Sequence, residues 1–472
     1  MLFPTATFAL FFLVVMPLSW LTMHSPARWR ALTIAASYVF YSAWDWRFVF
    51  LLAGCTVWNQ LFAVRIWATR DAARRKVLLV AALAGDLGVL AYFKYYGFFA
   101  DSAQGLLTRL GTDATIDVRT VVLPVGISFF TFMAISYVVD AYRGHFEPTS
   151  FMKFATFLSF FPHLVAGPIV RPSELVPQLD TPRDPRRVDT GRAFFLIASG
   201  LFKKVVIANT LAAGIVDDVF GAPGQHSSLE ILIAVYAYAV QIYADFSGYT
   251  DIAIGVALLL GFSFPQNFDA PYSATSIQDF WRRWHMTLSR WLRDYVYIPL
   301  GGNRAGSLLT YRNLLLTMLL GGLWHGAAWT FVAWGGLHGL ALAGSRWRRS
   351  RPGYVEAARR GWPLWRARLV TFHLVAIAWI FFRADSFGLA GEILTGLFTR
   401  WGNPSPLVTL GVLLAIAAGL VTQLVPTRIT SLLTARFSKL PPLAQAGVLS
   451  LCLMLTSALG PEGVAPFIYF QF

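Results

Sequence analysis

Long apolar runs constrain this chain before any motif does. Crossing a bilayer takes about 20 predominantly apolar residues. Candidate runs fall at 2–22, 31–44, 48–67, 77–99, 120–139, 193–215, 229–260, 369–383, 405–425 and 443–460, and 31–44 is too short to cross alone. The stretches 151–170 and 311–345 are also apolar. With 56% hydrophobic and 13% charged residues, the chain carries about half the charge of a soluble protein. The expected fold is therefore an all-α integral membrane protein with a single domain over 1–472. The first run lacks a basic leader segment and a small-residue cleavage site, so it reads as a membrane helix rather than a signal peptide.

The net charge of +15 would point to nucleic acid in a soluble protein. Here the arginines cluster between apolar runs, at 24–30, 65–76, 171–192, 279–304, 346–368 and 426–442. That is the pattern of cytoplasmic loops under the positive-inside rule, and no nucleic-acid partner is expected. Placing all six loops inside puts the N-terminus in the periplasm, with linkers 98–119, 216–228 and 384–404 on the same side. The scheme requires 151–170 and 311–345 to enter and return, or to cross an even number of times. Both carry breakers: Pro162 and Gly167-Pro168 in the first, Gly321-Gly322 and Gly326 in the second. As one straight helix, 311–345 would be about 50 Å long, too long for an untilted span. Irregular backbone at depth is tolerated only inside protein or beside a water-filled cavity, so two such segments imply a cavity.

Three polar constellations interrupt the apolar background. In 241–251, Gln241, Asp245 and Tyr249 recur every four residues on one helix face, with Ser247 and Asp251 as a second stripe. Carboxylates at depth face the interior: either they pair and fix the bundle, or they relay protons. In 275–295, Thr275 and Gln278 fit a capping box. Phe280, Trp281, Trp284, Leu288, Trp291, Leu292 and Tyr295 then share one arc, opposite Arg282, Arg283, Arg290 and Arg293. This reads as an amphipathic helix along the cytoplasmic interface, with His285 at the edge of its apolar arc. In 319–329, His325 sits among small and aromatic residues, with no Arg or Lys within ten positions. Burial favours the neutral imidazole, which is a competent general base; a satisfied core histidine is the plainer alternative. His338, thirteen residues on, falls on another face if the helix is continuous. Cys55 and Cys452 lie in apolar runs and form no disulfide or zinc pattern. No zincin spacing, serine elbow or phosphate loop is present, and no metal is expected.

In their order, these residues resemble the membrane-bound O-acyltransferase family. More narrowly, the chain is similar to the bacterial branch typified by the alginate O-acetylation membrane protein. The resemblance spans nearly the whole chain: Phe93-Lys-Tyr-Tyr, Pro124-Val-Gly-Ile-Ser-Phe-Phe-Thr-Phe, Phe161-Pro-His-Leu-Val-Ala-Gly-Pro-Ile169, Tyr243-Ala-Asp-Phe-Ser-Gly-Tyr-Thr-Asp251, Asn267-Phe-Asp-Ala-Pro-Tyr272, Phe280-Trp-Arg-Arg-Trp-His285, Leu323-Trp-His-Gly326 and Pro466-Phe-Ile-Tyr-Phe-Gln-Phe472. It implies a bundle of about 11 transmembrane helices with re-entrant segments and cytoplasmic interfacial helices, in the bacterial inner membrane. It implies that His325 is the essential histidine and His285 the second. It implies a cytoplasmic donor and a periplasmic acceptor.

The activity expected is O-acyl transfer from a thioester, acetyl-CoA, which is a substrate rather than a bound cofactor. The donor's anionic part would meet Arg282, Arg283, Arg290 or Arg293. Asp245, Tyr249, Asp251, Asn267 and Trp324 would line or support a tunnel. The resemblance further implies a periplasmic or membrane-anchored esterase-fold (SGNH-like) partner, exopolysaccharide machinery and membrane lipids. The acceptor would be an exopolysaccharide such as alginate, with cellulose, peptidoglycan or teichoic acid (D-alanine) as alternatives. A different class, a proton-coupled transporter or flippase, would use Asp245 and Asp251 instead.

Overall fold

A computed structural model describes residues 1–472 apart from 119, 182, 305, 354–359, 462–466 and 469–472. Glu356 and Arg359 of the basic loop, and Pro466 with 469–472 of the aromatic C-terminal motif, lie outside the described residues. Among the described residues all regular structure is helical. Among the described residues, six helices are long and apolar enough to cross a membrane: Arg47–Ala68, Ala72–Arg109, Thr190–Gly221, Ser228–Leu259, Trp362–Arg383 and Pro442–Leu459. The bent pair Leu410–Leu424 and Arg428–Ser438 would make a seventh. Pro442–Leu459 has only 6% of its apolar window buried, whereas Ser228–Leu259 has 72%. An apolar helix left that bare by its own protein needs lipid around it, and one that enclosed needs polar partners for every polar side chain it carries. The chain is a multi-pass membrane protein.

Several expected boundaries move. The run at 77–99 continues to Arg109, so the first half of the expected 98–119 linker is helical; a π-turn at Ala91–Tyr95 carries the helix past its aromatic segment. The expected linker 384–404 contains a helix, Phe387–Thr399, started by Ser386, whose side chain accepts from Leu389 N–H. The basic stretch 426–442 likewise contains the helix Thr427–Ser438. In each case residues that read as loop continue or form a helix.

Packing divides the chain into two compact units, Met1–Asp189 with Val256–Pro265, and Thr190–Gly255 with Gln266–Phe472. The core of the first is the helix Ile127–Arg143, buried from Ile127 to Ala141. Polar pins fix its neighbours: Tyr137 Oη donates to Gln60 Oε1 at 2.9 Å, Gln60 Nε2 donates to Thr149 O at 2.7 Å, and Asn59 Nδ2 donates to Asp86 Oδ1 at 2.8 Å. The stretch 151–170 is broken as its sequence requires. A helix Phe151–Ser159 is followed by one turn, Phe161–Leu164, and then by irregular backbone, all buried from Phe154 to Val170. Gly126 makes this packing possible, because its φ is +77° and a Cβ there would lie 2.7 Å from Leu164 O.

The second unit carries every candidate residue of the polar constellations. Its helix Thr190–Gly221 contains π segments at Phe202–Ala208 and Ala212–Val216. It meets the helix Ser228–Leu259 through glycines: a Cβ at Gly200 would lie 2.6 Å from Gly248 O, and one at Gly255 2.7 Å from Ala193 O. Small residues at such seams let membrane helices approach closely. The long run at 311–345 is a helical hairpin, Ser307–His325 and Trp329–Arg349. The break runs over 326–328, and of the three glycines only Gly326 lies in it, in extended backbone with φ −155°. Gly321 and Gly322 remain helical; Gly322 and Gly335 lie where a Cβ would collide with Phe331 O and Met318 O across the hairpin.

Candidate functional site

The arginine-rich stretch is not one amphipathic helix. It forms two short helices, Ile277–Arg283 and Met286–Leu292, followed by a π segment, Arg293–Tyr297. The cap is one residue later than Thr275: Ser276 Oγ accepts from Asp279 N–H at 3.2 Å, and Asp279 Oδ2 accepts from Thr275 N–H at 3.1 Å. Asp279 thus fills the role expected of Gln278, which instead accepts from Ser345 Oγ at 2.8 Å. The break between the helices is His285 itself, in the left-handed region at φ +41°. A non-glycine residue there is costly and persists only where its surroundings over-determine it. The surroundings do: Met286 N–H donates to Asn267 O at 2.9 Å, and Asp269 N–H donates to Arg283 O at 2.9 Å. The segment 267–269 thereby straps the break and turns His285 inward, to zero exposure.

Asn267 also fixes the His285 tautomer. Its Oδ1 accepts from Thr287 N–H at 3.2 Å and from Thr287 Oγ1 at 2.8 Å. A backbone N–H can only donate, so the atom facing it is the amide oxygen. His285 Nδ1 lies 3.1 Å from that same oxygen and must carry the hydrogen. Nε2 is therefore the lone pair, and it is buried with no partner among the described residues. His285 sits between the two short helices, outside the spanning ones, and burial pushes its pKa down to about 3. It is a neutral base with a free valence. Phe246 packs edge-on at 4.7 Å between ring centroids, and Phe268 stacks at 6.4 Å.

His325 closes the first helix of the hairpin and is 2% exposed. Its ring lies 4.9 Å from Trp324, 5.0 Å from Trp334 and 5.2 Å from Phe382. The His285 and His325 rings are 6.5 Å apart, and Trp324 lies 6.0 Å from His285. Three elements, the 267–269 strap, the break at His285 and the hairpin turn, thus bring two imidazoles into one aromatic cluster. Because Gly326 splits the run, His338 is not on a remote face of the same helix. It packs 4.8 Å from Trp334, the residue that also touches His325.

The other expected residues separate into groups. Asp245 pairs with Lys204 Nζ at 2.5 Å, both almost fully buried, and its Oδ2 accepts from Ile468 N–H at 2.9 Å. Asp251 pairs with Lys203, which also donates to Ser247 Oγ at 3.2 Å. Tyr249 packs on Phe467 at 4.5 Å. The counter-ions are Lys203 and Lys204, adjacent lysines inside the apolar run of the helix Thr190–Gly221. Arg283 is held by Asp279 at 2.8 Å and Asp269 at 3.6 Å, and Arg293 by Asp294 at 2.6 Å. Arg282 is exposed and Arg290 half-buried. Sequence reasoning also missed Thr287, Phe246, Trp334 and Phe382, whose apolar or small side chains carry no signal without the fold.

A family model described as MBOAT, membrane-bound O-acyltransferase family, matches residues 1–363. The chain is 43% identical over 387 residues to a probable alginate O-acetylase of Azotobacter vinelandii, covering 79% of this chain and 74% of the relative. It is 44% identical to a probable alginate O-acetylase of Pseudomonas aeruginosa, covering 79% and 71%. It is 38% identical to a peptidoglycan O-acetyltransferase of Helicobacter pylori, covering 79% and 73%.

Proposed function

The chain belongs to the membrane-bound O-acyltransferase family, and from that premise we propose that His325 and His285 together transfer an acetyl group from a thioester to a hydroxyl of an extracellular polysaccharide. The chain is an O-acyltransferase; the residues, donor and acceptor are the proposal. The observation that carries it is the pair itself. Two buried imidazoles lie among aromatic side chains with ring centroids 6.5 Å apart, one with its tautomer fixed so that Nε2 can accept a proton. Proton transfer calls for such an arrangement.

In this reading the acceptor hydroxyl gives its proton to His325, and its oxygen bonds to the thioester carbonyl carbon. The carbon–sulfur bond breaks, and the thiolate leaves with a proton from the imidazolium. His285 Nε2 relays or stores that proton, and Asn267 keeps it in the accepting tautomer. Aromatic walls exclude water, so the acyl group is not hydrolysed before the acceptor arrives. The donor is acetyl-CoA on the cytoplasmic side. Its anionic part meets the arginines of this stretch, Arg282 first among them, because it is exposed.

The names of the relatives support acetyl transfer and favour an exopolysaccharide of the alginate type over peptidoglycan by identity. A periplasmic or membrane-anchored esterase-fold partner would complete delivery. The inner membrane, with the N-terminus in the periplasm, is the matching location. The test is mass spectrometry of cell exopolysaccharides with and without the protein, and with His325→Ala. Loss of acetyl groups from one polymer, unrestored by the variant, supports the proposal. Unchanged acetylation of every polymer refutes it.

A further inference from the structure

His338 has no part in the chemistry above, yet its environment is built with the same care. It is fully buried in the helix Trp329–Arg349, boxed by Phe280, Trp281, Trp334 and Trp379 with ring centroids 4.8–6.4 Å away. Trp281 Nε1 lies 3.3 Å from His338 Nδ1. An indole N–H is a donor only, so Nδ1 accepts and Nε2 carries the hydrogen. That Nε2–H is buried with no acceptor among the described residues. One helical turn earlier, on the same face, Trp334 Nε1–H is likewise buried without an acceptor. Trp334 touches both imidazoles, His325 at 5.0 Å and His338 at 4.8 Å.

Two N–H donors left unpaired in an apolar surround cost free energy that the fold recovers only when an acceptor enters. Beside a proton-accepting histidine, the acceptor that chemistry calls for is an oxygen on which negative charge develops. We propose that His338 Nε2–H and Trp334 Nε1–H form the donor pair that holds the acyl carbonyl oxygen during transfer. As the acceptor oxygen bonds to the carbonyl carbon, the carbonyl electron pair moves onto its oxygen and is held by these two hydrogens. It returns as the carbon–sulfur bond breaks and the thiolate takes its proton. Trp281 fixes the tautomer, so His338 mirrors His285: the protein binds one ring nitrogen of each and leaves the other for substrate, as an acceptor on His285 and a donor on His338.

This inference rests on the acyl-transfer reading, and the experiment separates the two. Acetyl transfer from acetyl-CoA is measured in purified membranes for wild type, His338→Phe, His338→Gln, Trp281→Phe and His325→Ala at matched protein levels. His338→Phe should lower kcat about 10²-fold with KM for the thioester within about threefold, the loss typical of one such donor. His338→Gln places an amide N–H near the Nε2 position and should recover most of that loss. Trp281→Phe frees the tautomer and should cost several-fold in kcat alone. Equal losses in the Phe and Gln variants, or wild-type kcat in both, would overturn the donor role. If His325→Ala transfers acetyl at the wild-type rate, the underlying reading fails instead.

Discussion

Two polar regions of the second unit are built from inward-facing side chains and have opposite electrostatic finish. Along the helix Ser228–Leu259, Asp245 and Asp251 each meet a lysine, and Asp245 also holds the backbone of Ile468. At the junction of the 267–269 strap, the interfacial break and the hairpin, His285 and His338 each have one nitrogen bound by protein and one left over. In the first region the carboxylates are matched by lysines. The second keeps open valences in an apolar surround. Burial alone therefore does not mark a reactive group; a buried imidazole with an unspent valence beside a second imidazole is the stronger candidate. Each carboxylate of the first region is held by a lysine of the neighbouring helix, an arrangement that suits fixing the bundle.

Perturbing each region should give a different kind of loss. The largest effect is expected at His325→Ala: acetyl transfer in membranes should fall by about 10²–10⁴, with protein abundance unchanged. In the paired region Lys204→Met should instead destabilise the fold by about 3–5 kcal/mol, because it strands a buried carboxylate. The double change Lys204→Met with Asp245→Leu should recover most of that stability. Unfolding midpoints in detergent, compared with activity per folded molecule, separate the two behaviours. Asn267→Ala releases the His285 tautomer and the strap's hold on Thr287; transfer should drop by up to about 10²-fold. A pure stability loss with unchanged turnover would place Asn267 with the paired region. The smallest effect is expected at Arg282→Ala, which should raise KM for acetyl-CoA a few-fold and leave kcat alone. Arg283→Ala should show the reverse emphasis, loosening the fold through Asp279 and Asp269.

Much of this was legible in the sequence, and what was not has definite causes. The apolar runs announced the membrane, and His325 among glycines and tryptophans announced a site. The break at His285 was hidden because no glycine or proline marks it; the left-handed turn is imposed by Asn267, which is 18 residues away. Gly321, Gly322 and Gly326 looked alike as breakers. Only Gly326 acts as one, because Gly322 is consumed by close packing against the second arm of the hairpin. That single difference moved His338 from a remote face to the edge of the cluster. Lys203 and Lys204 were readable as counter-ions in an apolar run, but the pairing of each with its carboxylate depends on a glycine-tight seam between two helices.

The central claim is that His285 and His325 act on one acyl transfer as a unit. A double-mutant cycle on turnover tests it most directly, using His285→Ala, His325→Ala and the double variant in membranes supplied with acetyl-CoA and acceptor. Residues that serve one step are strongly non-additive. The double variant should therefore be no more than several-fold slower than His325→Ala. Losses that multiply across the two sites, or a His285→Ala variant at wild-type rate, would contradict the account.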